Sequence, residues 1–245
     1  MISFCYHADV LERYPNLCGG ILQVEDLHNQ PSPPDLQEAY RSEQQQVLQR
    51  LGNRSLSEIP SLAAWRSAFR GFGVEPTKYR SAAEALLRRL TKKGDIPSIN
   101  ALVDAYNLVS IRYALPMAAF DVRFIQGGIT VRFADGSERF TPHDQSEVEQ
   151  PEAGEVIFVD RSGLVFARRW CWKQSAESAS TLETRSIILT IEAQHPGGLE
   201  DVRAAIADVS ALLAQYVGGT IQAAILGAGQ PCFAGGPDYK WLDVT

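Results

Sequence analysis

The spacing of apolar residues changes from a helical to a strand pattern near Pro116, and this change most limits what the chain can fold into. Between residue 35 and Pro116 the apolar residues recur at intervals of three and four, as over residues 83–90, which is typical of helices that bury one face. After it they alternate, as over residues 129–133, and one more amphipathic helix follows near residues 199–217. This order predicts an α+β fold with a largely antiparallel β core and flanking helices, rather than a repeated βαβ unit.

Four helices are predicted before the change of pattern. The clearest is Ser81–Lys93, where Ser81 and Glu84 form an S-x-x-E capping box and Gly94 follows the last turn. The others are a helix capped by Asp35 that ends at Gly52, a short helix over residues 61–70, and a helix after Pro97 that is capped by Ser98.

The strand pattern predicts a sheet built from several short segments. The predicted strands are Ile2–Tyr6, Gly20–Val24, Glu155–Asp160, Leu164–Trp170 and Ser186–Glu192. Residues 129–133 and 138–140 are predicted to form a hairpin around a turn at Ala134–Ser137, and residues from Ile225 onward are predicted to be loop. We expect residues 1–60, 61–225 and 226–245 to be the N-terminal part, the core and the tail of one compact unit.

The composition excludes several classes of protein. The 245 residues are 45% hydrophobic and carry a formal net charge of −6, which excludes overall disorder and a nucleic-acid coat over the whole surface. The four cysteines are scattered and form no C-x-x-C pair, which predicts free thiols in a reducing compartment. The sequence has no leader pattern and no apolar run that could cross a membrane, so we expect a cytoplasmic location and no membrane partner. Nucleotide-loop, nucleophile-elbow and metal-ligand motifs are absent from the sequence, so neither a metal nor a cofactor is expected. The His143-Asp144 pair is better explained as a surface turn than as a catalytic pair.

Charge is distributed unevenly along the chain. Residues 66–93 contain eight basic and two acidic side chains, a formal charge of +6, so the remaining residues together carry −12. This asymmetry favours either an anionic partner that docks on one face or an ordinary solvated helix face.

A second basic group alternates with aromatic residues: Arg168, Arg169 and Lys173 with Trp170 and Trp172. On a strand, Arg168, Trp170 and Trp172 would share one face, where they could stack bases or simply cover the sheet. The polar loop of residues 173–181 after them suits either a site or a solvent-facing turn.

Several motifs in order resemble a known family. They are Ser98–Val109 (SINALVDAYNLV), Leu115–Asp121 (LPMAAFD), Ile125–Arg132 (IQGGITVR), Lys78–Arg89 (KYRSAAEALLRR) and Arg168–Ser175 (RRWCWKQS). Together they are similar to the B3/B4 editing domain in the beta chain of bacterial phenylalanyl-tRNA synthetase, and especially to freestanding members of that family. The resemblance runs from about Trp65 to Gly219, with weaker support over residues 4–24.

This resemblance implies tRNA binding and hydrolysis of a wrongly attached amino acid, which in the synthetase is tyrosine on the phenylalanine tRNA. The bond cleaved is an ester that is already labile, so positioning a water and stabilising the developing oxyanion suffice, and no dedicated nucleophile is needed. A mischarged aminoacyl-tRNA is therefore the expected partner, with no DNA. The alternatives are a non-catalytic RNA-binding module or synthetase accessory, and a small-molecule enzyme on the same scaffold.

The site residues follow from the matched motifs. Asn100, Asp104 and Asn107 match the Asn…Asp…Asn pattern of the family, and Met117, Phe120 and Asp121 match the next motif. Two departures are Ala118, where the synthetase has a histidine, and Tyr106, where it has a threonine; Glu177 is the candidate equivalent of its loop glutamate. We predict that six residues orient water and read the amino group: Asn100, Asp104, Asn107, Gln174, Ser175 and Glu177. We predict that the tRNA contacts Lys78, Arg80, Arg88, Arg169, Trp170 and Trp172.

Overall fold

The computed structural model describes residues 2–143 and 147–234, and its mixture of helices and mostly antiparallel sheets confirms the predicted α+β class. The helices are α1 (Ala8–Arg13), α2 (Pro34–Leu51), α3 (Pro60–Gly71), α4 (Ala82–Lys93), α5 (Ala101–Tyr113) and α6 (Gly198–Tyr216). The strands are β1 (Ser3–Tyr6), β2 (Cys18–Glu25), β3 (Met117–Asp121), β4 (Ile129–Phe133), β5 (Val156–Asp160), β6 (Val165–Arg168), β7 (Lys173–Gln174), β8 (Ile187–Ala193), β9 (Thr220–Leu226) and β10 (Cys232–Ala234).

The strands form two sheets. One has the order β3-β8-β2-β9 and is antiparallel throughout. The other has the order β10-β1-β4-β5-β6-β7, in which β1 and β4 run parallel and the remaining neighbours antiparallel. Helices α2, α4, α5 and α6 cover one face of the four-stranded sheet, and the six-stranded sheet lies against its other face. The four-stranded sheet is therefore the middle layer, and it is buried on both sides.

Strand β8 shows what this middle position requires. All seven of its residues are buried. Because side chains alternate along a strand, Ile187, Leu189 and Ile191 enter the core beneath the helices, whereas Ile188 packs in the core between the sheets. Thr190 and Glu192 fall on the same side as Ile188, so the alternation directs one carboxylate into the space between the two sheets.

Helix α4 forms as the sequence predicts. The Ser81 hydroxyl accepts a hydrogen bond from the Glu84 backbone N–H at 3.3 Å, and Gly94 ends the helix with a left-handed φ of 82°. The predicted start of the next helix is wrong. Its cap is Asn100, whose Oδ1 accepts from the Val103 N–H at 3.0 Å, because the Ser98 hydroxyl instead donates to Asp104.

The predicted cap of α2 is also wrong. The residue before the helix is Pro33, and Pro34 occupies the first helical position, where its fixed φ is favourable and its missing N–H costs nothing. Asp35 lies inside the first turn, where its charge faces the positive end of the helix dipole.

The predicted hairpin over residues 129–140 is wrong. Strand β4 pairs with β5 and β1, and residues 138–140 contribute only isolated bridges to Leu164 and Glu149. The reason is the buried carboxylate of Glu138, which accepts the backbone N–H groups of Asp135 and Gly136 and the guanidinium of Arg132. These bonds hold the chain in a local loop rather than a returning strand.

Two further expectations about strands need correction. The strand predicted over residues 164–170 ends at Arg168, because Arg169 and Trp170 have φ of 45° and 63° and turn the chain out of the sheet. The residues predicted as loop from Ile225 onward include the end of β9 and all of β10, which pairs with β1.

The prediction of four free thiols is likewise wrong for two cysteines. Cys5 of β1 and Cys232 of β10 face each other and form a disulfide, whereas Cys18 and Cys171 are free. In the part of the chain that the structure describes, no helix is long and apolar enough to cross a membrane.

Candidate functional site

A cavity of about 420 Å³ opens between α4, α5 and the facing sides of the two sheets. Its walls are mainly apolar and include Leu86, Tyr106, Met117, Ala118, Phe120, Phe158, Ala167 and Trp172. The polar side chains that line it are Arg89, Asn107, Lys173, Gln174, Thr190 and Glu192. An apolar cavity with a few convergent polar groups is the usual form of a small-molecule site. We call this cavity the Glu192 pocket.

Glu192 is the most unusual residue of the pocket. Its side chain is 2% exposed, and its Oε1 accepts hydrogen bonds from the Tyr6 hydroxyl at 2.8 Å and the Trp170 indole N–H at 3.0 Å. Burial disfavours the charged form and, against the effect of these two donors, raises the pKa of Glu192 to about 7. A carboxylic acid that titrates near neutral pH inside a cavity is a candidate functional group.

Two distant parts of the chain hold Glu192 in place. Gly19 of β2 lies opposite Glu192 in the sheet, and a Cβ at Gly19 would collide with the Tyr6 hydroxyl. The absence of a side chain there lets Tyr6 reach the carboxylate across the gap between the sheets. On the other side, the left-handed turn at residues 169–170 carries the Trp170 indole into the core, where it is fully buried. Glu192 is not among the site residues predicted from the sequence, because the two donors that give it its environment are distant along the chain.

The segment after β6 contributes several residues to the pocket lining. Gln174 lines the cavity, and its Nε2 donates to the carbonyls of Ala119 at 2.9 Å and Ser178 at 3.1 Å. Both amide protons are used in this way, which leaves Oε1 as the atom of Gln174 that can accept a hydrogen bond. Trp172 also lines the cavity and packs edge-on against Tyr79, with 4.9 Å between ring centroids.

The three matched residues of α5 separate into two kinds. Asn107 is buried and lines the pocket. Asn100 caps the helix through its side chain. Asp104 is fully buried away from the cavity and accepts hydrogen bonds from the hydroxyls of Ser32 and Ser98 and from the Ile99 N–H. Asn100 and Asp104 therefore shape the start of α5, and Asn107 alone of the three reaches the cavity lining.

Ser175 and Glu177 lie beside the pocket rather than in its lining. Ser175 is fully buried, and its hydroxyl accepts from the Glu177 N–H at the start of a short 3₁₀ turn. The Glu177 carboxylate accepts from the Thr141 hydroxyl at 2.5 Å and lies 3.9 Å from Arg139. Of the adjoining matched residues, Met117, Ala118 and Phe120 line the pocket.

Asp121 and the histidines lie away from the cavity lining. Burial alone would raise the pKa of Asp121, but hydrogen bonds from Arg123 and Thr184 outweigh it and hold the pKa below its usual value. His143 is described, but Asp144, the other residue of the predicted surface turn, lies outside the described residues. Within residues 2–143 and 147–234, no cluster of His, Cys, Asp and Glu could hold a metal ion.

The basic residues differ in how much of their charge is already neutralised. Lys78 and Arg88 are exposed, and Lys78 lies 5.0 Å from the Tyr79 ring. Arg80 shares the Glu84 carboxylate with Arg66, at 3.7 and 3.6 Å respectively. Arg89 lines the pocket and lies 3.7 Å from Asp95. Further basic residues exposed on α4 are Lys92 and Lys93.

Arg169 is a buried member of an ion-pair group beside the pocket. Its guanidinium lies 3.1 Å from Glu152 and 3.2 Å from Glu155, and it stacks over the Tyr79 ring at 3.9 Å. Arg168 also bonds Glu155, at 2.6 Å, and pairs with Glu149. We call these five charged residues, Glu149, Glu152, Glu155, Arg168 and Arg169, the Arg168 cluster.

Comparison with known proteins identifies the family. Residues 64–216 match the model of the B3/4 domain. The beta subunit of phenylalanine–tRNA ligase from Shewanella oneidensis is 32% identical over 108 residues, which cover 44% of this chain and 14% of that protein. The corresponding subunit from Aquifex aeolicus is 36% identical over 93 residues, which cover 38% of this chain and 12% of that protein.

A solved structure is also similar over much of the chain. It is an N-terminal fragment of the phenylalanyl-tRNA synthetase beta subunit from Pyrococcus horikoshii, with a TM-score of 0.47 and 12% identity, covering 90% of this chain and 50% of that one. Since the B3/4 model matches more than half of the residues, the chain belongs to the B3/4 domain family.

Proposed function

We propose that this protein hydrolyses the ester of mischarged aminoacyl-tRNA in trans and binds the tRNA through the basic face of α4. The observation that carries the proposal is the position of the pocket: every residue of its lining falls within the B3/4 match of residues 64–216. The family occurs in the beta subunits of phenylalanine–tRNA ligases, whose substrate is a tRNA.

The charge around the pocket supports an anionic ligand at its mouth. Arg89 lines the cavity from α4, and Lys78, Arg88, Lys92 and Lys93 are exposed nearby along the same stretch of chain. Phosphates of a tRNA acceptor end would lie against these side chains, while the apolar cavity receives the attached amino acid. Binding that depends on such contacts releases counterions and weakens as salt is added.

The chemistry asked of the pocket is modest. Because an aminoacyl ester is already activated, a water held close to its carbonyl carbon is enough for hydrolysis. Asn107 offers an amide donor and acceptor at the lining, and Gln174 offers the carbonyl oxygen that its own hydrogen bonds leave for accepting. These two side chains are the ones we assign to orienting water and stabilising the developing oxyanion.

One observation favours the non-catalytic alternative. Ala118 lines the pocket at the position where the resemblance places a histidine of the synthetase. Without that imidazole, the same cavity could hold an aminoacylated tRNA end and not cleave it. The test must therefore measure binding and hydrolysis separately.

The deciding experiment is release of amino acid from a panel of mischarged tRNAs by the purified protein. We expect release above the buffer rate for at least one member, and a fall of about tenfold or more in that rate for Asn107→Ala. The matched control is Asn53→Ala, at an exposed position outside the pocket lining, which should leave the rate unchanged. Binding without release from any tRNA would contradict the enzyme and support the alternative.

The tRNA surface is tested by charge reversal. Arg88→Glu should weaken tRNA binding severalfold and reduce the slope of log affinity against log salt by about one, because one phosphate contact is lost. Arg203→Glu, at an exposed position on α6, changes the net charge equally and should have a much smaller effect. Equal losses for the two variants would show a general charge effect and contradict the assigned face.

A further inference from the structure

Glu192 is less completely bonded than several other buried carboxylates of this molecule. Asp121 lies 2.7 Å from Arg123, Glu138 lies 2.5 Å from Arg132, and Glu155 is held by two arginines. Glu192 has no cation within 4 Å among the residues that the structure describes, and its two donors are the neutral groups of Tyr6 and Trp170. In the described part of the chain Asp104 also lacks a cation, but both of its oxygens accept hydrogen bonds, from two hydroxyls and a backbone N–H. A buried carboxylate is normally paired with a cation, because removing it from water is costly.

The two oxygens of the Glu192 carboxylate are bonded differently. Both protein donors bind Oε1, and no hydrogen bond within the described chain uses Oε2. Since Glu192 lines the pocket, Oε2 is the atom that a ligand in the cavity can reach. The surrounding walls are apolar, so a charge placed there is screened little and its interaction with an opposite charge is strong.

We infer that the Glu192 pocket binds the ammonium group of its ligand, with the Glu192 carboxylate as the counterion. A neutral hydroxyl could donate one hydrogen bond to Oε2, but only a cation also balances the buried charge. The inference deepens the proposed function and rests on it for the claim that this ligand is an aminoacyl ester. Such an ester always carries an α-ammonium, and some amino acids carry a second ammonium at the end of the side chain. Either source satisfies the chemistry, and the experiment separates them.

The charged and titratable groups around Glu192 are compatible with this assignment. Tyr6 of β1 bonds the carboxylate, and the free thiol of Cys171 lies close enough to interact with it. Burial raises the pKa of both groups, so they remain neutral near pH 7. Arg89 and Lys173 line the same cavity. Neither forms an ion pair with Glu192 among the described residues, and Arg89 is exposed on α4, the helix against which the proposed function places phosphates. The carboxylate is thus the negative group that an ammonium inside the cavity would meet.

The probes are three small amides that need no tRNA. Leucinamide carries only an α-ammonium, Nα-acetyl-lysinamide carries only a side-chain ammonium, and Nα-acetyl-leucinamide is neutral. Binding is followed by NMR through the Trp170 indole N–H, which is bonded to Glu192. We expect at least one cationic probe to bind and the neutral one to bind at least about tenfold more weakly. For the cationic probe, raising the pH from about 5.5 to about 7.0 should strengthen binding about tenfold as Glu192 ionises.

Two variants decide whether Glu192 is responsible. Glu192→Gln keeps an oxygen that accepts from Tyr6 and Trp170 but removes the charge, and it should lose the cationic preference and the pH dependence. Glu58→Gln removes an exposed carboxylate outside the cavity lining and should change neither. Thermal unfolding of both variants verifies that they are folded.

The Glu192→Gln variant distinguishes the two sources of the ammonium. Loss of leucinamide binding in Glu192→Gln assigns the α-ammonium, and loss of Nα-acetyl-lysinamide binding alone assigns a side-chain ammonium. The inference is overturned if neither cation binds, if the neutral amide binds as tightly, or if Glu192→Gln binds the cations as well as the unchanged protein does. None of these results depends on hydrolysis, so failure of the deacylase proposal would be seen separately in the tRNA experiment.

Discussion

The Glu192 pocket and the Arg168 cluster are two neighbouring places where this protein buries carboxylates. They differ in the groups that offset the cost of removing the negative charge from water. In the cluster, Glu155 receives the guanidinium groups of two arginines, and the hydrogen bonds and attraction of Glu155 and Glu149 outweigh burial and raise the pKa of Arg168. In the pocket, Glu192 receives two neutral donors and titrates near pH 7. The cluster is electrostatically complete without a ligand, whereas the pocket is not.

This difference separates a structural from a functional use of buried charge. In a saturated ion-pair group each charge is already balanced by a protein partner, and the group holds chain segments together. Arg169, which the sequence predicts as a phosphate contact, lies buried in this group and bonds Glu152 and Glu155. An unsaturated carboxylate costs stability, and that cost is recovered when a cation binds.

The largest effect is expected in the cluster. Glu155→Ala should lower the free energy of unfolding by about 3 kcal/mol or more, because it leaves buried arginines short of a counterion. Denaturant unfolding at pH 7 measures this. Glu152→Ala removes a carboxylate that bonds the same Arg169 but is 80% exposed, and it should cost less than about 1 kcal/mol. Similar losses for the two variants would show that the buried pairs contribute no more than a surface pair.

The next effect is a pH dependence that belongs to the pocket. The pKa of Glu192 rises from the ordinary glutamate value of 4.5 to about 7 in the folded chain, so between these values the folded state binds the proton more tightly than the unfolded state. The contribution of this group to stability therefore falls as the pH rises, by about 3 kcal/mol in total, and the loss is complete above about pH 7.

The measurement is the difference in free energy of unfolding between the unchanged protein and Glu192→Gln at about pH 5 and about pH 8, on either side of this window. The variant should become the relatively more stable of the two at the higher pH, since it has no charge to bury. Differences that are equal at the two pH values would place the titration elsewhere.

The smallest expected effect concerns the hydrogen bonds that Tyr6 and Trp170 donate to Glu192. Tyr6→Phe removes one of the two hydrogen bonds to the Glu192 carboxylate and should raise the pKa of Glu192 by about one further unit, because a hydrogen bond to a charged group contributes on the order of 1.5 kcal/mol. NMR titration of the Trp170 indole N–H reports the shift. Tyr113→Phe, which removes a phenol from the carboxylate of Asp208, serves as the control and should leave this titration unchanged.

Local sequence rules predicted the parts of the fold that depend on local structure. The Ser81 cap, the apolar stripe of α4 and the long final helix all follow from residues within a few positions of one another. The predicted hairpin failed because the Glu138 carboxylate binds backbone groups that the pattern assigned to a returning strand. The prediction of a strand through Trp170 was wrong because the chain makes a left-handed turn at residues 169–170. The alternation of apolar and polar residues does not reveal such a turn.

In the site, too, residues that belong to local motifs were predicted, whereas a residue whose partners are distant along the chain was not. Asn107 and Gln174 came from matched motifs and do line the pocket. Glu192 could not be recognised from its neighbours, because its significance comes from Tyr6 and Trp170, which lie 186 and 22 positions away along the chain. Its partners meet only when the two sheets pack together.

The two-sided burial of β8 has a consequence for how this protein can change over time. Substitutions along β8 alter one side chain at a time, but a single-residue deletion before Ile187 would exchange the two faces of the whole strand. Ile191 would then exchange faces with Glu192, and the carboxylate would enter the apolar core beneath the helices. We therefore expect insertions and deletions to be far less tolerated in β8 than in the loops around it, and deep mutational scanning would show β8 as a segment of fixed length.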